Sequence, residues 1–101
     1  MDQLFSSAFI QGYERMAAWS DLLDQINVFP VADADTGRNL KISLAPLRLL
    51  AETKPGEVPR QMLRAATGNA GNIAAAFFQP LLEIRQPQEM AAAVSRGLRQ
   101  A

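Results

Sequence analysis

Apolar residues return at helical spacing in five segments of this chain, and short turn-forming stretches join them. Residues three and four apart share one side of a helix, so each segment carries an apolar stripe that has to be buried. Stripes of this kind are buried by packing helix on helix, and the predicted fold class is all-α. Residues 3 to 26 read as one amphipathic helix, with Leu4 or Phe5, Phe9, Tyr13, Met16, Trp19 or Ser20, Leu23 and Ile26 along the stripe. Gly12 inside it costs about 1 kcal/mol against alanine and hints at close packing. Residues 37 to 51 form the second helix, on Leu40, Leu44, Leu47 and Leu50 or Ala51, and Pro46 should kink or divide it. A short third helix opens at Pro59, with Met62, Leu63 and Ala66 inward. The fourth, 70 to 84, is apolar nearly all round and contains Pro80. The fifth, 88 to 100, turns Met90, Ala91, Val94 and Leu98 inward, with Gly97 weakening its end.

A chain of 101 residues makes one domain, spanning 1–101. Ten basic residues balance ten acidic ones. The balance argues against nucleic acid or another polyanion as a partner. Histidine and cysteine are both absent. Serine–histidine triads, histidine or thiolate metal ligands and disulfides are therefore excluded. No apolar run approaches the roughly 18 residues that would read as a membrane span. Met1-Asp2-Gln3 does not resemble the start of a signal peptide, and the expected location is cytoplasmic.

Chemistry concentrates in one loop, Asn27-Val28-Phe29-Pro30-Val31-Ala32-Asp33-Ala34-Asp35-Thr36-Gly37-Arg38-Asn39-Leu40. Asp33 and Asp35 lie two apart in a segment too turn-like to be helix. Alternate carboxylates on an extended loop can point at one hard cation such as magnesium. The helix that follows aims its free N–H groups at the same place. Two readings of these residues stand side by side: a metal–anion site, or an ordinary helix start in which Asp35 or Thr36 is the cap and Asp33 solvates a turn. Phe29 and Val31 are expected to anchor the loop in the core. Asn27, the nearest polar group upstream, reads from the residues alone as a cap of the preceding helix or a side chain bonding its own turn. A second glycine-bearing stretch, Thr67-Gly68-Asn69-Ala70-Gly71-Asn72, breaks the helical pattern and precedes another helix start. Glycines there let the backbone approach a ligand closely.

Asn27-Val28-Phe29-Pro30-Val31, followed by Asp33-x-Asp35-Thr36-Gly37-x-Asn39, resembles the DAK2 (DhaL-type) nucleotide-binding domain of dihydroxyacetone kinases and bacterial fatty-acid kinases. Ala66-Thr67-Gly68-Asn69-Ala70-Gly71-Asn72-Ile73 is similar to the second glycine turn of that family. The resemblance covers most of this chain and about the first half of a family domain. It implies an antiparallel helical bundle like the first half of an eight-helix barrel. It implies ATP or ADP as ligand, with Asp33 and Asp35, and Asn27 as a further candidate, on the magnesium ions. Thr36, Gly37, Asn39 and Leu40 would lie along the nucleotide, and Gly68, Asn69, Ala70 and Gly71 near its phosphates. No residue is assigned as a covalent catalyst, and the acceptor would come from a separate lipid-carrying or acceptor-presenting partner. Ala70 stands where the family turn has a serine, and Ala32 and Ala34 replace a proline and a glycine. A competing expectation is a truncated, non-catalytic relative acting as an interaction or regulatory module. Half a barrel exposes apolar faces, and a homodimer is the expected way to bury them.

Overall fold

Trp19 divides the first apolar segment into two helices. The computed structural model of the chain describes residues 3–26, 35–54 and 56–101. Among the described residues it contains six α-helices, two 3-10 turns and no strand. Helix α1 is Gln3–Ala18 and α2 is Ser20–Ile26. At the break the Trp19 amide donates to the Met16 carbonyl three residues back, at 3.1 Å, a 3-10 tightening of the last turn of α1. The regular four-residue step resumes with Leu23 bonding the Trp19 carbonyl. The break lets α2 lean on the helix that follows. Phe5 and Ser20, not Leu4 and Trp19, take the inward positions, and Ile26 is exposed rather than packed.

Helix α3 is Thr36–Leu44, and a 3-10 turn, Ala45–Leu49, continues it. Pro46 sits in the first turn of the 3-10 segment and divides the expected 37–51 helix, because it has no N–H to extend the α-pattern. Helix α4, Glu57–Ala65, opens two residues before Pro59, behind Gly56 at φ 88°. Pro59 is tolerated there because amides in a first helical turn have no intrahelical acceptor. Met62 and Val58 are buried, but Leu63 points outward, correcting its expected inward position.

Helix α5 runs Gly68–Leu81, two residues earlier at its start than expected, and Pro80 lies in its last turn. A 3-10 turn, Pro87–Glu89, leads into α6, Met90–Gln100. The inward face of α6 is rotated from the expected one. Ala93 and Gly97 are buried, while Ala91 and Leu98 are exposed. Gly97 explains the rotation: a Cβ there would overlap the Phe77 carbonyl of α5. The smallest residues set the closest helix approach. By contrast, nothing lies within 4 Å of a Cβ built at Gly12, so the close packing expected there is absent.

The core has two parts. Tyr13, Leu44, Leu47, Val58, Met62, Ala75 and Leu82 form one, and Leu81, Ile84 and Ala93 the other. Phe9 and Phe78 touch both and meet edge to face at 5.8 Å between centroids. Tyr13 crosses from α1 to donate its hydroxyl to the Lys41 carbonyl at 2.9 Å. Removing a side chain the size of Met62 from water stabilises the fold by roughly 2 kcal/mol. Among the described residues, no helix is long and apolar enough to cross a membrane.

Candidate functional site

The described end of the first stretch, residues 35–40, meets the second where α3 crosses the start of α5. Asn39, in the first turn of α3, lies against Gly68, the residue that opens α5 at φ 70°. A Cβ at Gly68 would overlap the Asn39 amide nitrogen, so glycine is required there both by the left-handed backbone and by the neighbouring side chain. One turn further on, Gly71 packs on Ser43, and its Cβ would overlap the Ser43 hydroxyl. Ser43 is fully buried. Its hydroxyl accepts the Thr67 amide at 2.9 Å and donates to the Thr67 carbonyl at 3.3 Å. Both backbone polar groups of Thr67 are thus tied to α3, and the start of α5 is held in one position.

The start of α3 is capped from a distance. Asp35 occupies the residue before the helix and its carbonyl accepts the Asn39 amide at 2.9 Å, but its side chain makes no capping bond. The carboxylate of Asp24, on α2, takes that role. One oxygen accepts the amides of Gly37 at 2.7 Å and Arg38 at 3.2 Å. A negative charge on free N–H groups at a helix start is favourable both as hydrogen bonding and against the helix dipole. Gly37 permits this approach: it is buried against α2, and a Cβ would overlap the Ser20 carbonyl. The ordinary-cap reading of Asp35 is therefore corrected, because a carboxylate from another helix already fills the site.

Of the remaining candidates, Thr36 is the first residue of α3 and half-buried. Leu40 packs against the main core. Asn69 is exposed and Ala70 half-buried in the first turn of α5. Asn27 and Asp33, with the expected loop anchors Phe29 and Val31, lie outside the described residues. No group of three ligating side chains converges among the described residues. Among the described residues, Asp35 and Thr36 bring a carboxylate and a hydroxyl to the start of α3, oxygen donors of the kind that suits a hard cation rather than a soft one.

Asp24 and Ser43 are the two residues that sequence reasoning missed. Asp24 reads as one more polar position on an amphipathic helix. Ser43 sits between Ile42 and Leu44 with no motif around it. Their roles exist only once α2 and α5 are placed against α3.

No family model matches the chain, and no solved structure matches it. Over 85 residues it is 33% identical to an uncharacterized protein of Staphylococcus saprophyticus. It is equally similar, over the same length, to uncharacterized proteins of Staphylococcus aureus strains USA300 and NCTC 8325. The matched stretch is 76% of this chain but 15% of the first staphylococcal protein and 16% of the other two. The chain thus corresponds to a small part of the curated relatives it matches.

Proposed function

We propose that this chain is a magnesium-dependent ATP- or ADP-binding domain of a phosphotransferase resembling fatty-acid or dihydroxyacetone kinases. The observation that carries the reading is the packing of Asn39 on Gly68, which joins the aspartate stretch to the glycine stretch at one place. The start of α5, with no side-chain cap, and beside it at the start of α3 a carboxylate not used in capping, are what a metal–nucleotide site needs. Asp35 and Asp33 would hold the ion, with Asn27 as the further oxygen ligand, and the ion would neutralise phosphate charge. Because Asp24 already occupies two amides of α3, phosphate oxygens would be received chiefly at Gly68, Asn69 and Ala70 of α5. The acceptor would be presented by a partner protein.

Isothermal titration of ADP and ATP, with and without magnesium, tests the reading on the wild type and on Asp33→Ala/Asp35→Ala. Magnesium-dependent binding that the double substitution removes is expected. A wild type that binds neither nucleotide would overturn it.

A second reading is favoured by one surface. Trp19, at the break before α2, and Leu22 and Ile26 on it recur three and four residues apart and are 59%, 44% and 63% exposed, forming an apolar stripe. In this reading the domain is a non-catalytic interaction module that pairs with a second copy through that stripe. Light scattering of the wild type and of Trp19→Ser/Ile26→Ser separates the two: a monomeric wild type at micromolar concentration with a cooperative melt rejects the pairing.

A further inference from the structure

A cavity of about 370 Å³ opens on the side of the molecule away from the Asn39–Gly68 contact. Helix α5 has 14 residues, about 20 Å at 1.5 Å per residue. The cavity is lined just beyond its C-terminal end, by Leu82, Glu83 and Arg85. The cavity and the Asn39–Gly68 contact thus lie at opposite ends of α5 and share no lining residue.

Its walls divide by chemistry. Leu50, Val58 and Leu82 supply an apolar side, and Val58 is 2% exposed. Ser6, from α1, is 5% exposed and lines the cavity, and no described residue hydrogen-bonds its hydroxyl. Thr53 also lines it, with its hydroxyl committed to the Leu49 carbonyl at 3.0 Å. Two exposed cations, Lys54 and Arg85, line the cavity together with one exposed carboxylate, Glu83, which leaves a net positive charge there. The ion pairs among the described residues are Arg48–Glu14 and Arg60–Glu57, and neither Lys54 nor Arg85 joins one. The backbone amide of Arg85 is held by Glu89 at 3.0 Å, which fixes the turn that carries its guanidinium.

A serine on the wall, two cations that join no ion pair among the described residues and an apolar side describe a receptor for one kind of molecule. We propose that this cavity binds a small organic anion: a phosphate or carboxylate head held by Lys54, Arg85 and Ser6, with a short apolar body against Leu50, Val58 and Leu82. The volume falls within the range of small-molecule sites. The guanidinium offers paired donors to a planar or tetrahedral anion, and the ammonium a point charge. Glu83 opposes the anion and sets selectivity against highly charged ligands, which would meet its carboxylate.

The test is calorimetric titration of the intact chain with hexyl phosphate, hexanoate and inorganic phosphate, repeated on Lys54→Gln/Arg85→Gln and on Glu83→Gln. Saturable binding of either hexyl compound is expected. The double substitution should weaken it by about tenfold or more, since it removes charge-assisted hydrogen bonds, while Glu83→Gln should tighten it. Hexyl phosphate against hexanoate tells which head group is preferred. The substituted positions are exposed, and an unchanged thermal melt confirms that the variants fold. Absence of saturable binding at millimolar hexyl phosphate and hexanoate would overturn the proposal. So would binding that the double substitution leaves unchanged, or inorganic phosphate binding as tightly as hexyl phosphate.

Discussion

The carboxylate of Asp24 lies 2.7 Å from the amide nitrogen of Gly37, thirteen residues away in sequence and on another helix. One bond does three things. It caps α3, ties α2 down after the break at Trp19, and leaves the carboxylate of Asp35 without a capping role. Replacing Asp24 by alanine should lower stability by about 1 to 2 kcal/mol, the usual loss for a helix cap with a charged acceptor. Asparagine should recover part of the loss. Urea unfolding followed by circular dichroism reads both; a substitution without effect would show that the cap adds nothing.

Two glycines should respond in opposite directions to the same methyl group. Gly37→Ala places a Cβ onto the Ser20 carbonyl, a backbone atom that cannot step aside without moving α2. A loss of about 1 to 3 kcal/mol is expected, as for overpacking elsewhere. Gly12→Ala meets nothing within 4 Å in the middle of α1. It should stabilise by about 0.5 to 1 kcal/mol through better helix propensity. Thermal melts of the pair provide the comparison, and equal signs would contradict the packing described for one of them.

Ser43 is the hinge pin between α3 and α5. Ser43→Ala leaves the half-buried Thr67 amide without its 2.9 Å acceptor. The cost should be about 1 to 3 kcal/mol. Amide hydrogen exchange at Thr67 should rise along with it. Loss of stability with unchanged protection at Thr67 would place the effect elsewhere.

The single tyrosine gives a spectroscopic handle. Burial raises the Tyr13 hydroxyl above its usual value near 10; Arg48 beside it pulls the other way and Glu14 adds a small push upward. The neutral hydroxyl is the form favoured in the folded state, where it donates to the Lys41 carbonyl. Its contribution is complete below the unfolded tyrosine value and declines as pH rises from about 10 toward the folded value. Tyrosinate absorbance of the native protein should titrate above that of the urea-unfolded chain. Tyr13→Phe should cost about 1 kcal/mol at neutral pH and remove this part of the alkaline loss. A native titration at or below the unfolded one would refute the buried hydrogen bond.

Much of the fold is legible in the order of residues, because helical periodicity is a local property. The break at Pro46 and the turn before α4 follow from local proline and glycine chemistry, and the final helix follows from its periodicity. Where the reading misplaced a residue, a distant contact was the reason. Leu98 has the right spacing to face inward, yet Gly97 takes that side because α6 approaches the Phe77 carbonyl too closely for any side chain. Trp19 fits the first stripe, yet the chain breaks there and leaves it exposed.

The candidate site divides in the same way. Aspartate spacing and glycine-bearing helix starts are visible in the amino-acid order, since they reflect what a few neighbouring residues can do. That Asn39 rests on Gly68, that Ser43 holds Thr67, and that Asp24 rather than Asp35 caps α3 are facts of tertiary structure. Hydrogen bonds between residues 13 and 24 positions apart depend on how helices cross. Crossing is decided by close packing summed over the whole core, a quantity that no single stretch of sequence contains.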